Sequence, residues 1–240
     1  MKINANTLML YYNTCGLGGT INSVKTNFGA DSVFTSTKNA PNTVFINVKM
    51  NTGVFENYSP IGDIIIRSVD KFAKYLKSYK KTDIELTKTE EFVINVKNDL
   101  LEHDVILGGE SVVEERLHDG SLLNIKDCSV VEVPYNSLMD AITQMADIGS
   151  ERIIFDKKEN ELSMVIDNGN SSDKSRVKVP CDDVSINRTV LGKVLLEAVQ
   201  VFDKDFPVIV EIGTDVPITF KQTTDILSIG MVIAPRIENE

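Results

Sequence analysis

Val208-Ile209-Val210-Glu211-Ile212, then Asp215-Val216-Pro217-Ile218-Thr219-Phe220, then Ile226 to Ile233 running into Ala234-Pro235-Arg236-Ile237-Glu238: the fold of this 240-residue chain is decided in this stretch. Val208 to Ile212 is short and rich in Val and Ile, which reads as a strand rather than a helix. Runs of the same kind recur upstream at Val44 to Met50, Asp83 to Thr87, Phe92 to Val96, Arg152 to Asp156 and Glu161 to Ile166. Turn residues such as Lys158-Glu159-Asn160 separate them.

Helical periodicity interrupts the strands. From Val69 to about Tyr79, the residues Val69, Phe72, Ala73, Leu76 and Tyr79 share one face, and Lys71, Lys74, Lys77 and Lys81 share the other. Leu138, Ile142, Met145 and Ile148 form a second apolar stripe that Gly149 stops, leaving Asp140, Thr143, Gln144 and Asp147 for solvent. A third helix is expected from Thr189 to Phe202, with Val190, Leu191, Val194, Leu195, Ala198 and Phe202 inward and Lys193, Glu197, Gln200 and Lys204 outward. Asn6 to Cys15 is a weaker candidate, because Tyr11, Tyr12, Asn13 and Thr14 are mediocre helix formers and Gly16, Gly18 and Gly19 end the segment. The order helix, strands, helix, strands repeats from about Val130, which points to an internal duplication of two α+β units.

Composition bounds the rest. With 42% hydrophobic and 25% charged residues the chain can bury one large core or two smaller ones. No run approaches the roughly 18 apolar residues of a membrane span, and the segment from Met1 lacks a signal-peptide layout, so no membrane partner is expected. Cys15, Cys128 and Cys181 are odd in number and widely separated, which favours inert thiols over a disulfide framework or a zinc site. A net charge of -10 argues against coating nucleic acid by overall attraction, so any such contact must be local.

Four stretches carry a family resemblance. They are Val130-Val131-Glu132-Val133-Pro134 leading to Asp147-Ile148-Gly149, the terminal Asp215-Val216-Pro217 and Ala234 to Glu238, and Tyr75-Leu76-Lys77 followed by Thr82-Asp83-Ile84-Glu85-Leu86. In this order and spacing they resemble the DNA polymerase sliding clamps of archaea and eukaryotes, the proliferating cell nuclear antigen family. The resemblance implies an α+β clamp fold with two similar domains, residues 1–116 and 128–240, joined by a linker over 117–127. It further implies a homotrimeric ring with helices lining the interior and antiparallel sheets outside. Such a ring encircles double-stranded DNA without regard to sequence. After opening by a clamp loader it tethers DNA polymerase, ligase and nuclease through short client peptides. No cofactor, metal or catalytic residue is implied, and the setting is intracellular, cytoplasmic or nucleoid in a prokaryote or virus and nuclear in a eukaryote.

The same resemblance assigns sites. Lys71, Lys74, Lys77 and Lys81, with Lys193, would face DNA; on pattern alone an ordinary solvated helix face is the favoured reading, and the resemblance reverses it. Asp140 and Asp147 stand where family members carry arginine or lysine. Client peptides would dock over Val44, Phe45, Leu122, Leu123, Ile125, Pro217, Val232, Ala234, Pro235 and Ile237. Neighbouring subunits would meet through an acidic edge with Glu110, Val112, Val113 and Glu114 and a basic edge with Lys174, Arg176, Val177 and Lys178.

Enzyme chemistry finds little support. His103 and His118 lie in no metal-binding spacing, phosphate-loop and nucleophile-elbow patterns are absent, and Gly16-Leu17-Gly18-Gly19 is followed by no lysine. A metal-dependent hydrolase would rest on Glu102, Asp104, Asp182 and Asp183 alone. Closer alternatives are a subunit of a heteromeric ring or a specialised mobile-element clamp.

Overall fold

The computed structural model describes residues 1–109, 127–167, 174–182 and 185–236. Its first ten elements are β1 (Lys2–Asn4), α1 (Ala5–Cys15), β2 (Val24–Phe28), β3 (Ser32–Lys38), β4 (Val44–Asn51), β5 (Gly62–Ile66), α2 (Val69–Ser78), β6 (Asp83–Glu90), β7 (Val93–Lys97) and β8 (Glu102–Ile106). The next ten repeat the order: β9 (Ser129–Val133), α3 (Tyr135–Ile148), β10 (Arg152–Lys158), β11 (Glu161–Asp167), β12 (Lys174–Pro180), β13 (Asn187–Gly192), α4 (Val194–Ala198), β14 (Val208–Ile212), β15 (Ile218–Thr223) and β16 (Leu227–Ile233).

Strand adjacency repeats as well. The hydrogen-bonded orders β5-β2-β3-β4 and β1-β6-β7-β8 return as β13-β10-β11-β12 and β9-β14-β15-β16, and the registered pairs are antiparallel. The duplication is therefore one of topology, which survives sequence divergence because alternation and turn placement, rather than identity, specify pairing. The chain packs as two compact units, the first from Met1–Ala40, Ile46–His118 and Thr223–Ser228, the second from Pro41–Phe45, Asp119–Gln222 and Ile229–Glu240.

In the first unit the Asn4 side chain caps α1 by accepting from the Asn6 N–H. Tyr11, Tyr12 and Cys15 are buried, and the Tyr12 ring meets Phe72 of α2 edge-on at 4.9 Å. Packing of this face, not intrinsic propensity, makes α1 a helix. A Cβ on Gly16 would lie 2.9 Å from a Val69 methyl, so glycine is what lets the end of α1 approach the start of α2. Helix α2 begins at its Ser68 cap, whose hydroxyl accepts from the Lys71 N–H at 3.4 Å, and buries Val69, Phe72 and Leu76.

In the second unit α3 buries Leu138, Ala141, Ile142 and Met145 and stops at Gly149 in the left-handed region, φ 68°. Phe155 and Phe220 meet edge-on at 6.0 Å in its core. The helix expected from Thr189 to Phe202 is corrected by the structure: Asn187–Gly192 is strand β13, paired with β10 through Ile153↔Leu191 and Phe155↔Thr189. Only Val194–Ala198 is α-helical, followed by a 3-10 turn over Val199–Val201. Val190 and Leu191 satisfy helical spacing as well as a buried strand, and the backbone partners offered by β10 decide between them.

Candidate nucleic-acid interface and partner surfaces

Helix α2 carries the basic surface. Burying Val69, Phe72 and Leu76 turns Lys71, Lys74 and Lys77 outward, and all three are exposed. Asp70 in its first turn and Lys77 in its last complement the helix dipole. The Lys71 ammonium sits 5.7 Å from the Tyr75 ring centre, and that ring stacks on His103 at 5.2 Å. Tyr79 anchors the helix end, its hydroxyl 2.5 Å from the Val96 carbonyl and 2.8 Å from His103 Nδ1. Beyond it Lys80 and Lys81 take left-handed backbone, φ 51° and 67°, in a turn fixed by the Thr82 hydroxyl donating to the Tyr79 carbonyl and by Asn4 Nδ2 donating to the Lys81 carbonyl. Lys80 and Lys81 are exposed, so five ammonium groups follow one another along this helix and its exit turn.

The other helices differ in sign. Helix α1 has no charged residue and exposes Leu10 and Asn13. Helix α3 exposes Asp140 and Asp147 and contains no lysine or arginine. Beside α4, Lys193 is exposed but donates to the Glu151 carboxylate at 3.3 Å, and Glu197 is exposed on the helix itself.

The carboxyl-terminal segment of the second unit is tied down by main-chain bonds. The Ala234 N–H donates to the Thr43 carbonyl and the Arg236 N–H to the Val190 carbonyl, each at 2.8 Å. The Arg236 guanidinium donates to the Glu151 carbonyl at 3.2 Å and lies 4.0 Å from its carboxylate. Glu151 thus holds Arg236 and Lys193 together, a role its sequence position does not announce. Phe45, Pro217, Ala234 and Pro235 are half-buried in this unit, whereas Val44 and Val232 are buried at 1% and 5% exposure and offer a peptide no surface of their own. Leu122, Leu123, Ile125 and Ile237 lie outside the described residues.

Strands β12 and β8 each lie at the end of a sheet. On β12 the alternation exposes Lys174, Arg176 and Lys178, half-buries Ser175 and Val177, and buries Val179. Lys178 donates to Glu161 at 3.0 Å, and that bond, with a second from the Ser163 hydroxyl, holds the Glu161 carboxyl below its ordinary range. On β8 Glu102 and Asp104 are exposed and accept from Asn95 Nδ2 at 2.8 and 2.9 Å, while Ile106 is 65% exposed. Glu110, Val112, Val113 and Glu114 lie outside the described residues. The acidic strand that ends the described sheet is β8, a little upstream, and the alternation Glu102-His103-Asp104-Val105 was its signal. Among the described residues no group of three His, Cys, Asp or Glu could hold a metal ion, and no helix is long and apolar enough to cross a membrane.

No family model matches the chain, and no curated protein matches it by sequence. Solved structures do. A complex described as the C-terminal region of FEN-1 bound to A. fulgidus PCNA superposes with a TM-score of 0.87 at 16% identity, covering 100% of this chain and 98% of that one. PCNA of Thermococcus kodakaraensis gives a TM-score of 0.80 at 17% identity over 98% and 99% of the two chains. A PCNA2-PCNA3 complex from Sulfolobus tokodaii gives 0.79 at 17% over 99% of each. Shared along its whole length with these proteins, the duplicated ten-element topology is the sliding-clamp fold of proliferating cell nuclear antigen.

Proposed function

We propose that this chain is a DNA sliding clamp, a non-enzymatic, intracellular processivity factor that encloses duplex DNA and tethers replication proteins to it. The observation that carries the reading is the full-length clamp topology together with the row of ammonium groups on α2. Enclosure relieves the protein of the need for tight binding. A screened, sequence-blind attraction to phosphates suffices to centre a ring while leaving it free to slide. An acidic chain with one local basic surface meets that requirement.

The route to a ring follows from the duplication. Within the second unit, which takes in Pro41–Phe45 and Ile229–Glu240, the start of β4 runs beside the end of β16, with the Ala234 N–H donating to Thr43. In the repeated order β12 is the counterpart of β4, and β8 that of β16. Pairing β8 of one copy with β12 of the next would reproduce this arrangement between molecules, head to tail, and close into a ring. Acidic Glu102 and Asp104 on one edge and basic Lys174 and Arg176 on the other favour that partner over self-pairing of either edge. Client peptides are assigned to the surface of Phe45, Pro217, Ala234 and Pro235 together with the linker over 117–127.

Primed-template synthesis by a cognate polymerase and loader tests the reading. The wild-type protein should lengthen the products of single encounters. Unchanged product length, with loader and polymerase shown to be active, would exclude a processivity role. A heteromeric-ring subunit is the second reading, favoured by the similarity to a complex of two different clamp chains. Light scattering of the protein expressed alone separates them, a trimer supporting self-assembly and a persistent monomer the need for unlike partners.

A further inference from the structure

We infer that duplex DNA is gripped by the first unit only, through α2 and its exit turn, and that helix α3 of the second unit presents carboxylates that hold it off. This rests on the clamp reading, in which the helices face the duplex. The chemistry of the four helices divides sharply. Lys71, Lys74, Lys77, Lys80 and Lys81 are exposed on α2 and the turn that follows, where Asp70 in the first turn is the only acidic residue. Helix α1 packs beside α2 and brings no charge of either sign.

In the second unit the charged residues of α3 are both acidic. Asp140 and Asp147 sit seven residues apart, two helical turns, and therefore on one exposed stripe of α3. Lys193, the cation expected to help line the hole, gives its ammonium to Glu151, a carboxylate that Arg236 also approaches. Lys204, further along, is bound to Asp205 at 2.8 Å, and Asp203 adds to the charge that raises its pKa.

A phosphate approaching α3 meets uncompensated carboxylates, and at physiological salt the repulsion acts over roughly 8 Å. A phosphate approaching α2 releases counterions from DNA, at a slope of about -0.9 in log affinity against log salt for each contact. Each subunit then offers one attractive arc and one repulsive arc, so the duplex leans on successive α2 helices. The hold is weak, steeply salt-dependent and concentrated in one unit.

Fluorescence anisotropy with a labelled duplex, read across a salt series on the intact protein, tests this with three variants at exposed positions. Circular dichroism should show all three folded. Lys74→Ala with Lys77→Ala should lower affinity by about tenfold or more at low salt and flatten the salt slope by roughly 2. Lys193→Ala should change affinity by less than about twofold, because its charge is already countered. Asp140→Asn with Asp147→Asn should strengthen binding by about three- to tenfold, a gain that fades as salt rises. A Lys193→Ala loss equal to that of the α2 pair, or unchanged affinity when the two aspartates are neutralised, would overturn the division between units. If instead the wild-type protein neither binds duplex in a salt-dependent way nor lengthens polymerase products, the clamp reading fails first and takes this inference with it. Wild-type processivity combined with a full salt slope in Lys74→Ala/Lys77→Ala would sink the inference alone.

Discussion

Glu151 is the residue on which the carboxyl-terminal segment turns. Its backbone carbonyl accepts from the Arg236 guanidinium, and its carboxylate receives Lys193. Both contacts are exposed, and exposed pairs contribute about 0 to 1 kcal/mol each. Glu151→Gln should therefore weaken a client peptide by no more than about fivefold in calorimetry while leaving the fold intact; a complete loss of binding would mean that Glu151 touches the peptide itself. Cys15 is the second residue with a distinct prediction. Burial pushes its thiol from an ordinary 9.0 up to about 12. Its folded value lies above its unfolded one, so its contribution to stability is fully present below pH 9 and is lost as pH rises toward 12. In native protein at pH 8, Cys15 should resist a thiol reagent and become reactive only on denaturation, with the half-buried Cys128 and Cys181 modified earlier. Equal rates at all three in the native state would contradict the burial argument.

Among the elements, α3 was legible from residue spacing down to its stop at Gly149, because a long amphipathic stripe and a left-handed glycine are both local signals. A Cβ at Gly149 meets nothing within 4 Å, so any cost of replacement is conformational rather than steric. Gly149→Ala should cost about 1 kcal/mol in a urea titration and Gly149→Asn less, since asparagine tolerates the left-handed region better. An alanine variant as stable as wild type would show that the helix end relaxes. Strand β13 was not legible: Thr189, Val190 and Leu191 fit either period, and pairing with β10 decides. Helix α1 is the converse case, a poor helical sequence held in place by Tyr11, Tyr12 and Cys15 in the core.

For the whole molecule the expected species is a head-to-tail trimer. Reversing Lys174 and Arg176 to glutamate should give folded monomers by light scattering, because the β12 edge would then face the Glu102 and Asp104 of its partner with like charge. Lys178 is left out of that variant, since its ammonium is engaged by Glu161 within the sheet. Main-chain pairing and apolar contact at Val177 and Ile106 would supply most of the affinity, so salt should loosen the wild-type trimer without abolishing it. A charge-reversed protein that remains trimeric would place the subunit contact elsewhere.

Sequence alone determined what is local and periodic. That includes the apolar and basic faces of α2, the acidic face of α3, the alternation of β12 and the coarse recurrence of helices and strands in two halves, because each depends on neighbours a few residues apart. Only the tertiary structure decided which charges remain available. Lys193 and Glu151 are 42 residues apart in the chain, and Arg236 and Glu151 are 85 apart. No spacing rule reaches that far. Strand pairing brings those groups together, and whether a lysine is a solvated cation or half of an ion pair is settled by which strand its neighbour arrives on.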